Sequence, residues 1–178
     1  MLNDRELGDF LLRVSTADIE EAEHMIGDSS PKCLHGWIKD VCSGYAVTGW
    51  SRGRGGAVEA IGGFSVEQDY PTVWRAWMLA AKSATAKDVM RLARKGMKVL
   101  RAVTEGMDDA VYVFIDTTPE HIGINIVKKL GFTECEVIIP DDNPKTLFVR
   151  HVLVSTPKRF DPQSVASAEA KVEELCRR

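Results

Sequence analysis

Three consecutive stretches constrain this chain more than any other part of it. "TVWRAWMLA" (72–80) is dense in β-branched and aromatic residues, as a strand requires. Over about 86–105, Val89, Leu92, Ala93, Gly96, Val99, Leu100 and Val103 recur with the i, i+3, i+4, i+7 spacing of one helix face. "AVYVFID" (110–116) is then a continuous apolar run, the pattern of a strand buried on both sides. Strand, helix and strand in this order form a βαβ unit, whose two strands run parallel. A chain built on such a unit covers a sheet with helices.

The flanking sequence extends this sheet. "FLLRVS" (10–15) reads as a first strand, and "TADIEEAEHMIG" as a short helix capped by Ser15 or Thr16. "SSPKCLHGWIKDVCSG" reads as a second helix, with Ser30 as cap, Pro31 in the first turn and Gly44 as stop. "YAVTGW" (45–50) and "AVEAIGGFSVE" (57–67) are strands joined by the glycine-rich turn "SRGRGG". Gly62 and Gly63 inside the second of them predict a bulge or a close backbone approach. "TPEHIGINIVKKLG" predicts a helix capped by Thr118, opened by Pro119 and closed by Gly131. "FTECEVII" and "TLFVRHVLV" complete the sheet around the turn "PDDNPK". The expected fold class is α/β (α+β): a mixed, mostly antiparallel twisted sheet with helices on both faces. Residues 1–154 form the domain, and 155–178 a C-terminal helical extension, polar with a thin apolar stripe from about 161.

The chain's 178 residues suffice for one well-buried domain, and 44% hydrophobic with 28% charged residues describes a globular protein. A net charge of −3 argues against general nucleic-acid affinity, and no sequence-specific nucleic-acid contact is expected. No run approaches the roughly 18 apolar residues of a membrane span, so no membrane partner is expected. "MLNDRELGDF" is too polar for a secretory signal. Cys33, Cys42, Cys135 and Cys176 lack CxxC spacing and are expected to be buried free thiols, and His24, His35, His121 and His151 show no metal spacing. No metal is expected. Arg91, Arg94, Lys95, Lys98 and Arg101 lie largely off the apolar helix face, as a solvated surface does. Trp37, Trp50, Trp74 and Trp77 read as core or interface anchors.

The element order, with "VYVFIDTTPEHIGINIVKKLGF" (111–132) as its most specific piece, resembles the GNAT acyltransferase fold over about residues 10–154. Trp77-Met78-Leu79, an Arg-rich helix and Leu130-Gly131-Phe132 are similar to short GNAT-like proteins of short-tailed bacteriophages, described as acetyltransferases or internal virion proteins. The resemblance implies acetyl-CoA as a possible cofactor, its pyrophosphate held on the loop before the long helix. The family loop has the pattern Gln/Arg-x-x-Gly-x-Gly/Ala, whose glycines let backbone N–H groups reach phosphate oxygens. Here that place is "AKSATAKD" (81–88), which lacks the glycines and the Arg/Gln. Met78, Leu79, Lys82, Ser83, Ala84, Thr85, Ala86 and Lys87 are the candidate cofactor-binding residues. Their alternative is a plain N-cap at Ser83 or Thr85 with solvated lysines.

The family's thiolate-protonating tyrosine falls at Val127, which has no proton to give. Candidate catalytic residues are Glu59, inside a strand, as base, and His121 at a helix start. Glu67 and Arg75 lie on the same two strands as the base candidate and its neighbour.

These departures, with the phage likeness, imply a phage-encoded GNAT-like protein with a degenerate acyl-CoA site. Its expected role is structural or in assembly, in the virion interior or the tail and portal region. One alternative is an acetyl-CoA-dependent N-acyltransferase with a divergent phosphate loop; another is an inhibitor that binds a host protein. The expected partners are other phage virion proteins or a host protein, with oligomers allowed. The expected location is the host cytoplasm or the virion.

Overall fold

The computed structural model describes residues 2–16, 18–19, 22–23, 27, 30–43, 46–67, 69–118, 123–139 and 147–156. The described helices are α1 (Asp4–Leu11), α2 (Pro31–Ser43), α3 (Ala86–Thr104) and α4 (Gly123–Lys129). The strands are β1 (Ala46–Arg52), β2 (Val58–Glu67), β3 (Tyr70–Ala80), β4 (Val111–Thr117), β5 (Thr133–Ile138) and β6 (Phe148–Ser155). They form one six-stranded sheet in the order β1-β2-β3-β4-β6-β5. Only the β3–β4 pair is parallel, as the βαβ unit requires. The expected mixed, mostly antiparallel sheet with helices on both faces is present. The expected C-terminal helix, Gly44, Pro119, His121 and the "PDDNPK" turn lie outside the described residues, as do parts of the helix expected after Ser15.

The expected first strand at 10–15 is not formed. Phe10 and Leu11 are in α1, and Val14 makes a single bridge to Ala81. The helix wins because of a capping box: Asn3 Oδ1 accepts from the Glu6 N–H at 2.9 Å, and Glu6 Oε2 accepts from the Asn3 N–H at 3.3 Å. Leu7, Phe10, Leu11 and Val14, spaced i, i+3, i+4, i+7, then face the core. Ser15 behaves as the expected cap, its Oγ accepting from the Asp18 N–H. Likewise Ser30 Oγ accepts from the Cys33 N–H at the start of α2.

The sheet separates two cores. On one face, α1 and α2 pack Phe10, Leu34 and Ile38 onto Ile61, Trp77 and Leu79. Trp37 meets Trp77 edge to face at 4.9 Å, so these tryptophans anchor this core. On the other face, α3 and α4 pack Met97, Leu100 and Val127 onto Phe64, Trp74, Ala76 and Val113. Alternation along β2 and β3 sends neighbouring side chains to opposite cores. Two of the expected buried thiols are exposed instead, Cys33 and Cys135.

Gly131 closes α4 as expected, at φ +95°. Its N–H bonds the Lys128 carbonyl and the Phe132 N–H bonds the Val127 carbonyl, the pairing of a Schellman motif. No described helix is long and apolar enough to cross a membrane.

Candidate functional site

β3 and β4 pair only at Val73–Arg75 and Tyr112–Phe114. Beyond that point β3 runs on to Ala80 and β4 to Thr117 without pairing to each other. The gap opens on the α3 and α4 side into a cavity of about 490 Å³. Its floor is β1–β3 at Gly49, Gly62, Phe64, Ala76 and Met78; its walls are Ala93, Gly96, Met97 and Val99 of α3, and Ile126, Val127 and Leu130 of α4.

Small residues make this space. A Cβ on Gly62 would stand 2.7 Å from the Trp77 carbonyl oxygen, so the close approach expected there is real. The pairing of β2 with β3 keeps its register at Gly62 and Gly63, so no bulge forms there. Gly49 lets Leu92 approach to 3.3 Å from where its Cβ would be, and Gly96 does the same for Phe64. α3 therefore sits low over β1 and β2.

The open edge of β3 carries polar backbone groups. The Ala81 N–H bonds Glu59 on β2, while the Ala80 carbonyl accepts from Ser15 on the other side. Strand alternation then directs the N–H and C=O groups of Ala76 and Met78 away from β2; the Arg75–Phe114 step of the parallel ladder takes up the Ala76 N–H, and the Met78 N–H with the Ala76 and Met78 carbonyls faces the gap. Val127, at the position of the family tyrosine, lines the cavity. Lys95 is the charged residue at its rim; carboxylate and imidazole groups are absent from its described lining.

The joint between β3 and α3 is satisfied from within. The N–H groups of Ala81, Lys82 and Ala84 bond the carbonyls of Glu59, Arg13 and Ala81. Thr85 is the N-cap of α3, in a capping box with Asp88. Its N–H donates to Asp88 Oδ2 at 3.1 Å and its hydroxyl to the same oxygen at 2.6 Å. Those bonds, the hydroxyl's first, hold the Asp88 carboxyl below the usual carboxylate range, with Arg91 and Lys87 helping and burial opposing. Ser83 donates its hydroxyl to Glu59 Oε2 at 2.6 Å. Lys82 and Lys87 are exposed.

Of the candidate residues, Met78 lines the cavity, whereas Leu79 is fully buried in the opposite core. Lys82, Ser83, Ala84, Thr85, Ala86 and Lys87 lie together at the joint. Glu59 is beside them, with Arg13 Nη1 at 3.8 Å, and does not line the cavity. His121 lies outside the described residues. Arg75 and Glu67 pair at 3.1 Å, and Arg75 packs with Arg150 on the Phe114 ring.

Acetyl-CoA has two parts to accommodate, and they fare differently. The apolar cavity and the free edge of β3 fit a thioester arm with its acyl group. The joint does not fit a nucleotide diphosphate, because its hydroxyls and most of its N–H groups already bond protein oxygens. The cavity residues Phe64, Ala76, Met97, Ile115 and Ile126 escaped the sequence reading. The clustering of Gly62, Gly63, Ala76, Ala93 and Gly96 was the signal available for them.

No family model matches the sequence, and no curated protein matches it. Solved structures do resemble the fold. A ribosomal-protein-alanine N-acetyltransferase from Brucella melitensis superposes with a TM-score of 0.62 at 9% identity, covering 86% of this chain and 96% of that one. A GNAT-superfamily phosphinothricin acetyltransferase from Sinorhizobium meliloti, in complex with acetyl-CoA, gives 0.62 at 11%, covering 87% and 89%. An aminoglycoside 6′-N-acetyltransferase from Enterococcus faecium gives 0.57 at 11%, covering 90% and 97%. The comparisons lend no support to the expected kinship with bacteriophage virion proteins. At such identities the likeness speaks for architecture, and the architecture of this chain is that of the GNAT-superfamily acetyltransferases.

Proposed function

We propose that the protein is an N-acyltransferase that takes its acyl group from a thioester. The observation that carries this reading is the cavity where β3 and β4 part, apolar and lined on one side by an unpaired strand edge. An acyl thioester laid along β3 meets the backbone N–H of Met78, which can polarise its carbonyl. Fixed donors of this kind stabilise the oxyanion that forms when an amine attacks. The apolar walls keep water from the thioester, and Ile126 and Val127 hold the acyl group against the strand. With Val127 in place of a phenol, the departing thiolate takes its proton from solvent, and solvent water accepts the proton that the attacking ammonium gives up. Such an enzyme is slow where an internal acid would otherwise contribute about 10²–10⁴ in rate. The fold of the neighbours, two of them named N-acetyltransferases, supports the same chemistry.

The test is a pair of measurements on the wild type and on Ala93→Trp, which fills the cavity from α3. Millimolar acyl thioester raises the melting temperature of the wild type, and a panel of small amines releases free thiol at a rate above solvent hydrolysis. Ala93→Trp folds but loses both effects. Absence of any thermal shift in the wild type overturns the reading.

A further inference from the structure

The β3–α3 joint has a consequence for the donor, and it rests on the acyltransferase reading above. A phosphate cradle works by leaving successive N–H groups unpaired and unshielded. Here Ala81, Lys82, Ala84 and Thr85 each spend theirs on a protein oxygen. The two hydroxyls go to carboxylates, Ser83 to Glu59 and Thr85 to Asp88. Two carboxylates thus take the hydroxyls that a phosphate at the joint would use.

The positive groups nearby are largely committed. Arg13 donates to the Asp9 and Val58 carbonyls and lies 3.8 Å from Glu59, and Arg91 lies 3.7 Å from Asp88. Lys82 and Lys87, with the N–H groups of Ser83, Ala86 and Lys87, are what the joint still offers an anion. Residues Arg13–Ser15 also run beside the end of β3, through the Lys82-to-Arg13 and Ser15-to-Ala80 bonds. They occupy the strand edge that leads from the cavity to the joint.

We propose that the acyl donor is a pantetheine-like thioester without a nucleotide diphosphate, and that the joint is a closed helix cap rather than a phosphate site. The arm fills the β3–β4 gap and ends before Arg13–Ser15. Glu59 and Asp88 then discriminate against coenzyme A by charge, each held in place by the hydroxyl it accepts from.

Three probes decide this on the full-length protein: S-acetyl-pantetheine, S-acetyl-4′-phosphopantetheine and acetyl-CoA, each titrated calorimetrically. The expected result is that S-acetyl-pantetheine binds at least as tightly as acetyl-CoA, and that the order of the three follows falling phosphate count. Asp88→Asn combined with Glu59→Gln keeps both hydrogen-bonding shapes and removes both charges. It is expected to tighten acetyl-CoA about tenfold while S-acetyl-pantetheine stays unchanged. Acetyl-CoA binding tenfold or more above S-acetyl-pantetheine in the wild type overturns the proposal and leaves the acyltransferase reading standing. Binding of none of the three overturns that reading as well. The wild-type series suffices should the double variant fail to fold.

Discussion

His151 is fully buried on β6, and neither ring nitrogen has a hydrogen-bond partner. Burial therefore pushes its pKa down, with Glu134 and Asp116 opposing and Lys128 adding to the shift. The unfolded chain binds the proton near the ordinary histidine value of about 6.5, and the folded chain resists it. Stability from this residue is complete above that value and is lost as pH falls through it toward the folded pKa. Urea midpoints measured from pH 8 to pH 5 should decline on the acid side, and His151→Leu should remove that slope. Gly62 is the second residue with a specific cost. Its missing Cβ would meet backbone at 2.7 Å, which cannot move without shifting β3. Gly62→Ala should cost about 1–3 kcal/mol by overpacking, visible as a lower urea midpoint, and should impair thioester binding with it. Gly62 was legible in the sequence as a bulge or a close approach, and the unbroken β2–β3 register decides for the second. His151 was not, since a histidine in a strand looks the same whether its ring faces solvent or core.

At the scale of elements, local chemistry decided more than hydrophobic content did. "FLLRVS" carries a strand-like composition, yet Asn3 and Glu6 start a helix seven residues earlier and Phe10 is swept into it. Asn3→Ala should cost about 0.5–2 kcal/mol, read by chemical denaturation, and Asn3→Asp should retain most of the stability. The "Asn-Asp-Arg-Glu" capping signal is present in the sequence, and it outweighs the strand-like apolar run that follows it. α3 shows the converse. Its apolar face was legible and its cap was narrowed to Ser83 or Thr85, but capping and phosphate binding use the same atoms. Only the position of Asp88 against Thr85, and of Glu59 against Ser83, separates the two. Glu59 and Ser83 are 24 residues apart, so no local pattern reports their contact.

For the whole molecule, the two cores share β2 and β3, whose alternate side chains supply both. Neither core has its own sheet, so the described domain should unfold in one transition. Tryptophan fluorescence, weighted toward Trp37 and Trp77 in the α1–α2 core, should coincide with far-ultraviolet circular dichroism across a urea titration. Two separated midpoints would contradict this. The same sharing explains the cavity. β3 pairs with β2 along nearly all its length and with β4 over three residues, so the strands must part, and α3 and α4 wall the gap. By itself the sequence determined the βαβ unit, most of the helix and strand periods, the cap at Ser30 and the Gly131 stop, and narrowed two further caps to Ser15 or Thr16 and Ser83 or Thr85, because each depends on residues within a turn or two of one another. The tertiary structure alone decided that the β3–β4 gap stays open, that His151 is buried without a partner, and that Glu59 takes the Ser83 hydroxyl. Those are contacts between distant segments, and their outcome depends on which donors remain once every element has packed.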